Sequence, residues 1–503
     1  MKRYIGALDQ GTTSTRFALF DHRGRLVSWD QKEHTQYFPQ PGWVEHDPWE
    51  IWENSRSVMT KTFLTSGISP SEVAGLGVTN QRETVVLWDR HTGEPLHRAL
   101  VWQDTRTEAW CRQQAPAWGP EEVQKSGLPL TSYFSATKLA WLLEHVPEAR
   151  QKARQGDLVA GTIDSWLLWN LTGGAKRGVH ATDATNASRT LLMNLKTLTW
   201  DQHLAEFFDI PLEMLPTVNP SAKVLGLTEG LEFELPVASL LGDQQAALFG
   251  QAGFARGDAK NTYGTGAFLL MNTGEPAWSS HGLLTTVAFW GENQKPVYGL
   301  EGSVAVAGAG VQWLRDNLGL IKASDEIEAL ARSVPDNGGV YLVPAFSGLL
   351  APYWRQEVLG IITGLTRFAN KGHIARAVLE AVAYQTRDVV EAMEKDAGTP
   401  LTSLKVDGGM TANDFFLQFQ AEILGVPVRR PVVAETTALG AAFAAGLAVG
   451  FWKDQEELSQ LWSEDRHWVP QGERSQREAW YAGWKAAVNQ CLAAGQASEP
   501  RVL

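Results

Sequence analysis

The 503-residue sequence has only two cysteines, Cys111 and Cys491, too few for a disulfide framework and without the paired spacing of a zinc site. It has no uninterrupted apolar run near the roughly 18 residues that cross a membrane. The basic opening MKRYIGALDQ has its apolar part cut short by Asp9, which makes a poor signal peptide. Positive charge is also in deficit: 44 Lys and Arg stand against 56 Asp and Glu, a formal charge of −12 that disfavours non-specific binding to nucleic acid. Long linkers and low-complexity tracts are absent, and only the closing GQASEPRVL reads as frayed. What remains is an ordinary globular composition in a chain too long for one core, so two large domains in a cytoplasmic protein are expected. The 21 tryptophans are unusually many, and core and interface packing is expected to absorb most of them.

The first dozen residues pose a specific question. In ALDQGTTSTRFALFD the apolar patterns of Tyr4 to Leu8 and Phe17 to Phe20 predict two strands joined by a tight turn over Gln10 to Ser14. Backbone N–H groups and hydroxyls converge in such a turn and can hold an anion, while the adjacent carboxylate can face the accompanying metal ion. The pattern returns in AKNTYGTGAFLLMN, around Gly264-Thr265-Gly266, half the chain away. Two copies of strand, Gly/Thr turn, strand point to two duplicated lobes.

Between the copies, DPWEIWENSRSVMTKTFL reads as a helix with Asp47 as N-cap, Pro48 at the first position and Glu50 closing a capping box. VAGLGVTNQRETVVLWD reads as strand, turn, strand, with Arg82 and Glu83 at a strand edge, and Val237 to Leu241 as a strand ending where a helix begins at Gly242-Asp243. An Asp at such a transition is equally well an N-cap. After the second copy, EGSVAVAGAGVQWLRDNLG reads as a helix of small residues. LKVDGGMTANDFFLQF reads as a strand ending at Asp407-Gly408-Gly409 and a helix from about Asn413, whose glycines and electropositive N-terminus suit a nucleotide. TTALGAAFAAGLAVG reads as a helix packed tightly on a neighbour.

Taken in order, DQGTTSTRFALFD, YGTGAFLLMN and VDGGMTANDFF resemble the two phosphate loops and the adenosine loop of the actin, sugar-kinase and heat-shock-chaperone fold. That resemblance implies an α/β protein of two ribonuclease-H-like lobes, with ATP in the cleft between them. The expected division is 1–250, with the polyol site and first phosphate loop, and 251–503, with the second phosphate loop and adenosine loop. More specifically, GVTNQRETVVLWDRHTGEPLHRALVWQDTRT, GDQQAALFGQ and VPAFSGLLAPYWRQEVLGIITGLT are similar to the carbohydrate-kinase family that includes glycerol, gluconate and xylulose kinases. The Asn-Gln-Arg-Glu-Thr stretch with its downstream Trp-Gln-Asp is most similar to the members acting on glycerol.

The resemblance implies ATP- and Mg²⁺-dependent transfer of a γ-phosphoryl group to glycerol, giving sn-glycerol 3-phosphate. Asp243 is implied as the base that receives the alcohol proton, and Asp9, with Asp243, as facing the metal. Thr12, Thr13, Ser14 and Arg16 are implied around the β- and γ-phosphates, answered by Thr265, with Gly308, Gln312, Gly409 and Asn413 along the nucleotide. For the polyol, Arg82, Glu83, Tyr133 and Gln244 are implied to take the hydroxyls and Trp102 and Phe268 to form apolar walls, as the two-sided shape of a triol requires. A homo-oligomer without nucleic-acid partners or membrane insertion is also implied. The acidic stretch LGLTEGLEFELPVASL lacks the basic, glycine-rich loop with which some relatives bind fructose 1,6-bisphosphate, and no histidine stands there for phosphorylation. A related kinase for another polyol or sugar is the nearest alternative, and an ATP-driven conformational switch on the same fold a more distant one.

Overall fold

The computed structural model describes residues 2–346, 348–355 and 357–497. Two large sheets organise it. The first joins β1 (Tyr4–Gln10), β2 (Ser14–Asp21), β3 (Leu26–Glu33), β4 (Val73–Asn80), β5 (Ala222–Leu227) and β6 (Pro236–Gly242) in the order β5-β6-β4-β1-β2-β3. β1, β2 and β3 form an antiparallel meander, while β4 runs parallel to both β1 and β6. The period of two along each strand sends Leu8, Phe17 and Leu19 into the core under helix α1 (Pro48–Ser66), and Ile5, Ala7, Ala18 and Phe20 into a separate core on the other face. Burial on both faces explains the nearly unbroken apolar strands.

The second sheet repeats this plan. Strands β7 (Ala259–Tyr263), β8 (Ala267–Gly274), β9 (Leu284–Phe289), β10 (Val297–Val304), β11 (Leu404–Asp407), β12 (Val428–Pro431) and β13 (Glu464–Trp468) take the order β9-β10-β8-β7-β11-β12-β13. Here too the first strand pairs antiparallel with its hairpin partner and parallel with a later strand, β7 with β11. Two strand, Gly/Thr turn, strand units thus open two similar sheets, the duplication the sequence pointed to.

Helices α2 (Asp243–Gly250) and α3 (Gly308–Asp316) follow β6 and β10. The 27-residue α4 (Lys371–Ala397) and α5 (Asp414–Leu424) cover the second sheet, whereas α6 (Thr436–Ala448) crosses back to lie on β1, β4 and β6. Helices α2 and α6 cross in backbone contact: a Cβ on Gly440 would lie 1.8 Å from Ala246 O, and one on Gly250 would lie 2.0 Å from Thr436 O. The tight packing expected of the Ala/Gly-rich segment is therefore real, and it ties the two lobes together.

Local readings needed four corrections. Asp47 caps α1 by accepting from the Trp49 and Glu50 N–H groups, but no capping box forms, because the Glu50 carboxylate accepts instead from Thr35 N at 3.1 Å and Thr35 Oγ1 at 3.2 Å. β4 and Val85–Asp89 are not two arms of a hairpin: the second belongs to a small sheet of Glu45–His46, Ala99–Leu100, Val85–Asp89 and Leu158–Thr162 inserted in the first lobe. Arg82 and Glu83, in the passage between these sheets, are accordingly buried rather than at an exposed edge. Glu301 to Val304, read as helix, finish strand β10, and α3 begins only at Gly308. The closing helix Arg474–Ala497 carries through residues 495–497, while the rest of the segment read as frayed, 498–503, lies outside the described residues. Among the described residues no helix is long and apolar enough to cross a membrane.

Candidate active site

Strand register assembles the first half of the site. Gln10 of β1 pairs with Asn80 of β4, and Asn80 with Gly242 of β6, so three parallel strands end at one level. Beyond these ends lie the Gly11 turn, Arg82 with Glu83, and Asp243, the crevice position at which open α/β sheets bind ligands. Asp243 is the first residue of α2, not its N-cap, which is Gly242. Its Oδ1 accepts from its neighbour's amide, Gln244 N, at 2.7 Å and lies 3.1 Å from Arg82 Nε. Arg82 and Glu83 do not pair with each other. Arg82 forks onto Glu301 and donates to Gln245 Oε1 at 3.2 Å, while Glu83 Oε1 accepts from Arg189 Nε at 2.7 Å. Glu83 also holds a left-handed backbone, φ 61°, costly for a residue with a Cβ and a mark of strain stored at a site.

Aromatic side chains form a cluster in the same part of the molecule. Trp102 stands edge-on to Tyr133 and to Phe268, with ring centroids 5.7 and 6.1 Å apart, and its Nε1 donates to Thr12 Oγ1 at 3.0 Å. The polyol candidates and the first phosphate turn are thereby in direct contact. Lys260, fully buried on β7, donates to Gln244 Oε1, to Thr262 Oγ1 at 2.9 Å and to Phe268 O at 3.2 Å. Burial pulls its ammonium down to about 8, against the pull of Asp407 and Asp243. This lysine was not named from the sequence, nor were Arg189 and Glu301. Burial pushes the Glu83 carboxyl up against the opposing pull of Arg82 and Arg189, while for Glu301 the same two guanidinium groups outweigh burial and hold it below the usual range.

In the turn itself, Gly11 N donates to Ser14 O at 2.9 Å, and Ser14 Oγ accepts from Gln31. Thr12 and Ser14 are partly exposed and Thr13 is exposed. Arg16 is turned toward protein partners: it pairs with Glu435, donates twice to Gln31 Oε1 and stacks over Trp29. Asp9 is only partly exposed, and its carboxyl is pushed up to about 6 by burial and by Asp243, against the pull of Arg16. A pair of carboxylates whose charges oppose each other beside a turn of N–H groups fits a Mg²⁺ ion, which characteristically takes one or two carboxylates and completes its shell with phosphate oxygens and water. Among the described residues no cluster of three or more acidic, His or Cys side chains forms an all-protein metal cage.

The second lobe supplies a cavity of about 480 Å³, and Thr265, Gly308, Gln312, Gly409 and Asn413 all line it, with Ser324, Glu328 and Met410 among further walls. None of the first-lobe candidates does. Gly308 is small for a packing reason: its Cβ would fall 2.7 Å from Gly264 O, and its N–H donates to that oxygen at 2.9 Å, bracing the Gly264-Thr265-Gly266 turn. The positive φ of the Asp407-Gly408-Gly409 turn falls on Gly408, φ 88°, and not on Gly409, whose Cβ direction is open. The N-terminus of α5 is not free for a ligand as expected. Asn413 Oδ1 accepts from Phe416 N at 2.8 Å, and Glu328 accepts from Asp414 N at 3.1 Å and Phe415 N at 3.2 Å.

Comparison with known proteins gives this arrangement a family. Models described as the FGGY family of carbohydrate kinases match residues 4–250 with their N-terminal domain and 259–449 with their C-terminal domain. A glycerol kinase of Methylorubrum extorquens is 60% identical over 486 residues, 96% of this chain and 97% of that one. The crystal structure of Plasmodium falciparum glycerol kinase with ADP superposes with a TM-score of 0.91 at 38% identity, covering 97% of this chain and 98% of that one. A gluconate kinase from Lactobacillus acidophilus shares the fold, with a TM-score of 0.87 at 23% identity over 98% of both chains. By sequence along nearly its whole length, the chain belongs to the FGGY family of carbohydrate kinases.

Proposed function

We propose that the protein transfers the γ-phosphoryl group of ATP to a terminal hydroxyl of glycerol, giving sn-glycerol 3-phosphate, with ATP in the cleft between residues 1–250 and 251–503. The observation that carries this reading is the contact of Asp243 with Arg82 Nε, 3.1 Å, together with the aromatic cluster of Trp102, Tyr133 and Phe268. A short triol offers hydroxyls to one side and C–H groups to the other. Arg82, Glu83, Tyr133 and Gln244 answer the first, Trp102 and Phe268 the second.

Asp243 receives the proton of the attacking hydroxyl. The Gln244 amide and Arg82 hold its Oδ1, which leaves Oδ2 to face the alcohol. Thr12, Thr13, Ser14 and Thr265 present hydroxyls and N–H groups to the phosphates from the two lobes, and Arg16 joins them by exchanging Glu435 for phosphate oxygen. Gly308, Gln312, Gly409 and Asn413 hold the nucleoside end, supported by their place around one cavity. Asp9 and Asp243 would hold a Mg²⁺ ion, which when bound would supply neutralisation of phosphate charge. The bond from Trp102 to Thr12 makes the polyol wall and the phosphate turn one unit, so that a substrate filling the wall also orders the turn. Lobe closure then excludes water from the reacting atoms. A cytoplasmic location agrees with the two unpaired cysteines, both buried, and a homo-oligomer accords with the family.

A ³¹P spectrum of protein, ATP, Mg²⁺ and glycerol tests the reading. A phosphomonoester resonance should grow with ADP while inorganic phosphate stays at background; growth of inorganic phosphate alone would refute transfer.

A further inference from the structure

Two residues outside the sequence-derived set link the side chains of Arg82 and Glu83 into a ring of four buried charges, closed on its last side by the backbone that these two neighbours share. Glu301, on β10 of the second lobe and fully buried, meets Arg82 with both carboxylate oxygens, Nη2 donating to Oε1 at 3.0 Å and Nη1 to Oε2. The same Oε1 accepts from Arg189 Nη2 at 2.9 Å, and Arg189 Nε donates to Glu83 Oε1 at 2.7 Å. Arg189 is itself fully buried, with its guanidinium carbon 5.4 Å from the Phe134 ring and 5.9 Å from that of Tyr133. Its Nη1 is buried with no protein partner.

Stability does not explain such a ring. Removing four charges from water costs several kcal/mol each, which mutual pairing at best offsets, and well-packed apolar side chains of equal volume commonly do as well. Directional order is what the ring supplies. Arg82 is locked by a two-pronged fork, a geometry that fixes both position and plane of a guanidinium. Glu83, already at a strained φ of 61°, has one oxygen bound by Arg189, so its second oxygen has one direction left in which to meet a ligand. The side chains of the two residues expected to grip the polyol do not pair with each other, and beyond their shared backbone they are linked through Glu301 and Arg189.

We propose that Arg189 and Glu301 are positioning residues that fix the angle between Arg82 and Glu83, and with it which of glycerol's two prochiral hydroxymethyl groups meets the γ-phosphorus. The proposal rests on the polyol site argued above. The ring is neutral as a whole, which suits an uncharged substrate. Because Glu301 belongs to the other lobe, the seating of one lobe on the other sets the aim of Arg82.

The test uses the full-length protein carrying Glu301→Gln, which keeps shape and one acceptor oxygen, and Arg189→Lys, which keeps charge but loses the fork. Steady-state kinetics with glycerol and MgATP are read together with product chirality, by comparing total glycerol phosphate with the part oxidised by a dehydrogenase specific for the sn-3 isomer. Each variant should raise KM for glycerol about tenfold or more, leave KM for ATP within about twofold, and release a measurable share of the sn-1 isomer. A merely structural role would lower Tm without altering chirality. Unchanged glycerol KM and pure sn-3 product in a folded variant would overturn the proposal, and so would failure of both variants to fold, which would assign the ring to stability. Wild-type protein in the same assay separates the two readings: a wild type idle on glycerol overturns the substrate assignment, whereas an active wild type beside unaffected variants overturns only the role of the ring.

Discussion

Replacing Asp243 by Asn isolates the charge that the proposed chemistry needs. The amide oxygen of Asn can keep both present contacts of Oδ1, the Gln244 N–H at 2.7 Å and Arg82 Nε at 3.1 Å, so local geometry has no reason to change. Arg82 retains its fork to Glu301 and its bond to Gln245 and is not left as an uncompensated buried charge. The side chain is 28% exposed, so the new amide nitrogen can be hydrated. What is lost in stability is an anion at a helix N-terminus, about 0.3–1 kcal/mol. What is lost in catalysis is the proton acceptor, typically a factor of about 10²–10⁴, or roughly 3–5 kcal/mol on the barrier, together with one of the two carboxylates placed toward the metal. Coupled measurement of ADP release should therefore show kcat reduced at least about 100-fold, with KM for ATP and Tm close to wild type. A kcat within about threefold of wild type would remove Asp243 from the role of base, and a rise in glycerol KM at constant kcat would make it a binding residue only.

Two further outcomes test the fold and its electrostatics. Gly440→Ala drives a methyl group into Ala246 O, 1.8 Å away, at the α2–α6 crossing, and should destabilise the protein by about 3 kcal/mol or more in urea unfolding; a loss below about 1 kcal/mol would mean that the crossing relaxes freely. Buried Asp164, which accepts from Thr162 Oγ1 at 2.5 Å and Thr182 Oγ1 at 2.6 Å, is pushed up to about 7 by burial and by Asp183. The folded state keeps this proton after the unfolded chain has released it near pH 4, so the group's contribution is complete below that pH and is lost as pH rises through about 7. Between pH 5 and pH 8 this amounts to about 3 kcal/mol, and the non-titrating Asp164→Asn should lack that slope; parallel pH profiles for the two proteins would contradict the assignment.

Much of this was legible in the sequence, for identifiable reasons. Repetition of strand, Gly/Thr turn, strand revealed the doubled sheets because both turns need the same small and hydroxyl residues. Asp47 and Pro48 located α1 because capping chemistry is local. The Glu50 contact with Thr35 was not legible, since it depends on where β3 delivers a competing donor. Glu301 was lost because the small residues after it, SVAVAGAG, blur the end of a strand and the start of a helix. The signal that could have found it is a single carboxylate in the otherwise uncharged run VYGLEGSV, since a buried acid requires a buried base. Lys260 offered the same signal on β7, and Arg189 lies in the turn after the short helix Ala184–Ala187, with no periodicity to mark it as buried. The blocked N-terminus of α5 shows the limit most clearly. An electropositive helix end is visible in sequence, but whether a ligand or Glu328 meets it is decided by a helix almost ninety residues earlier.

The central claim is tested most directly by ADP release from MgATP with glycerol, set beside erythritol, xylulose, gluconate and no added substrate. The proposed polyol site of Arg82, Glu83, Trp102, Tyr133 and Phe268 predicts turnover with glycerol at least about 100-fold above every other substrate in kcat/KM and near-zero release without substrate, with Trp102 and Phe268 as the walls that discriminate against a longer chain. Preferred turnover of xylulose, gluconate or erythritol would contradict the reading of that pocket, and release of ADP at the same rate with and without polyol would contradict phosphoryl transfer itself.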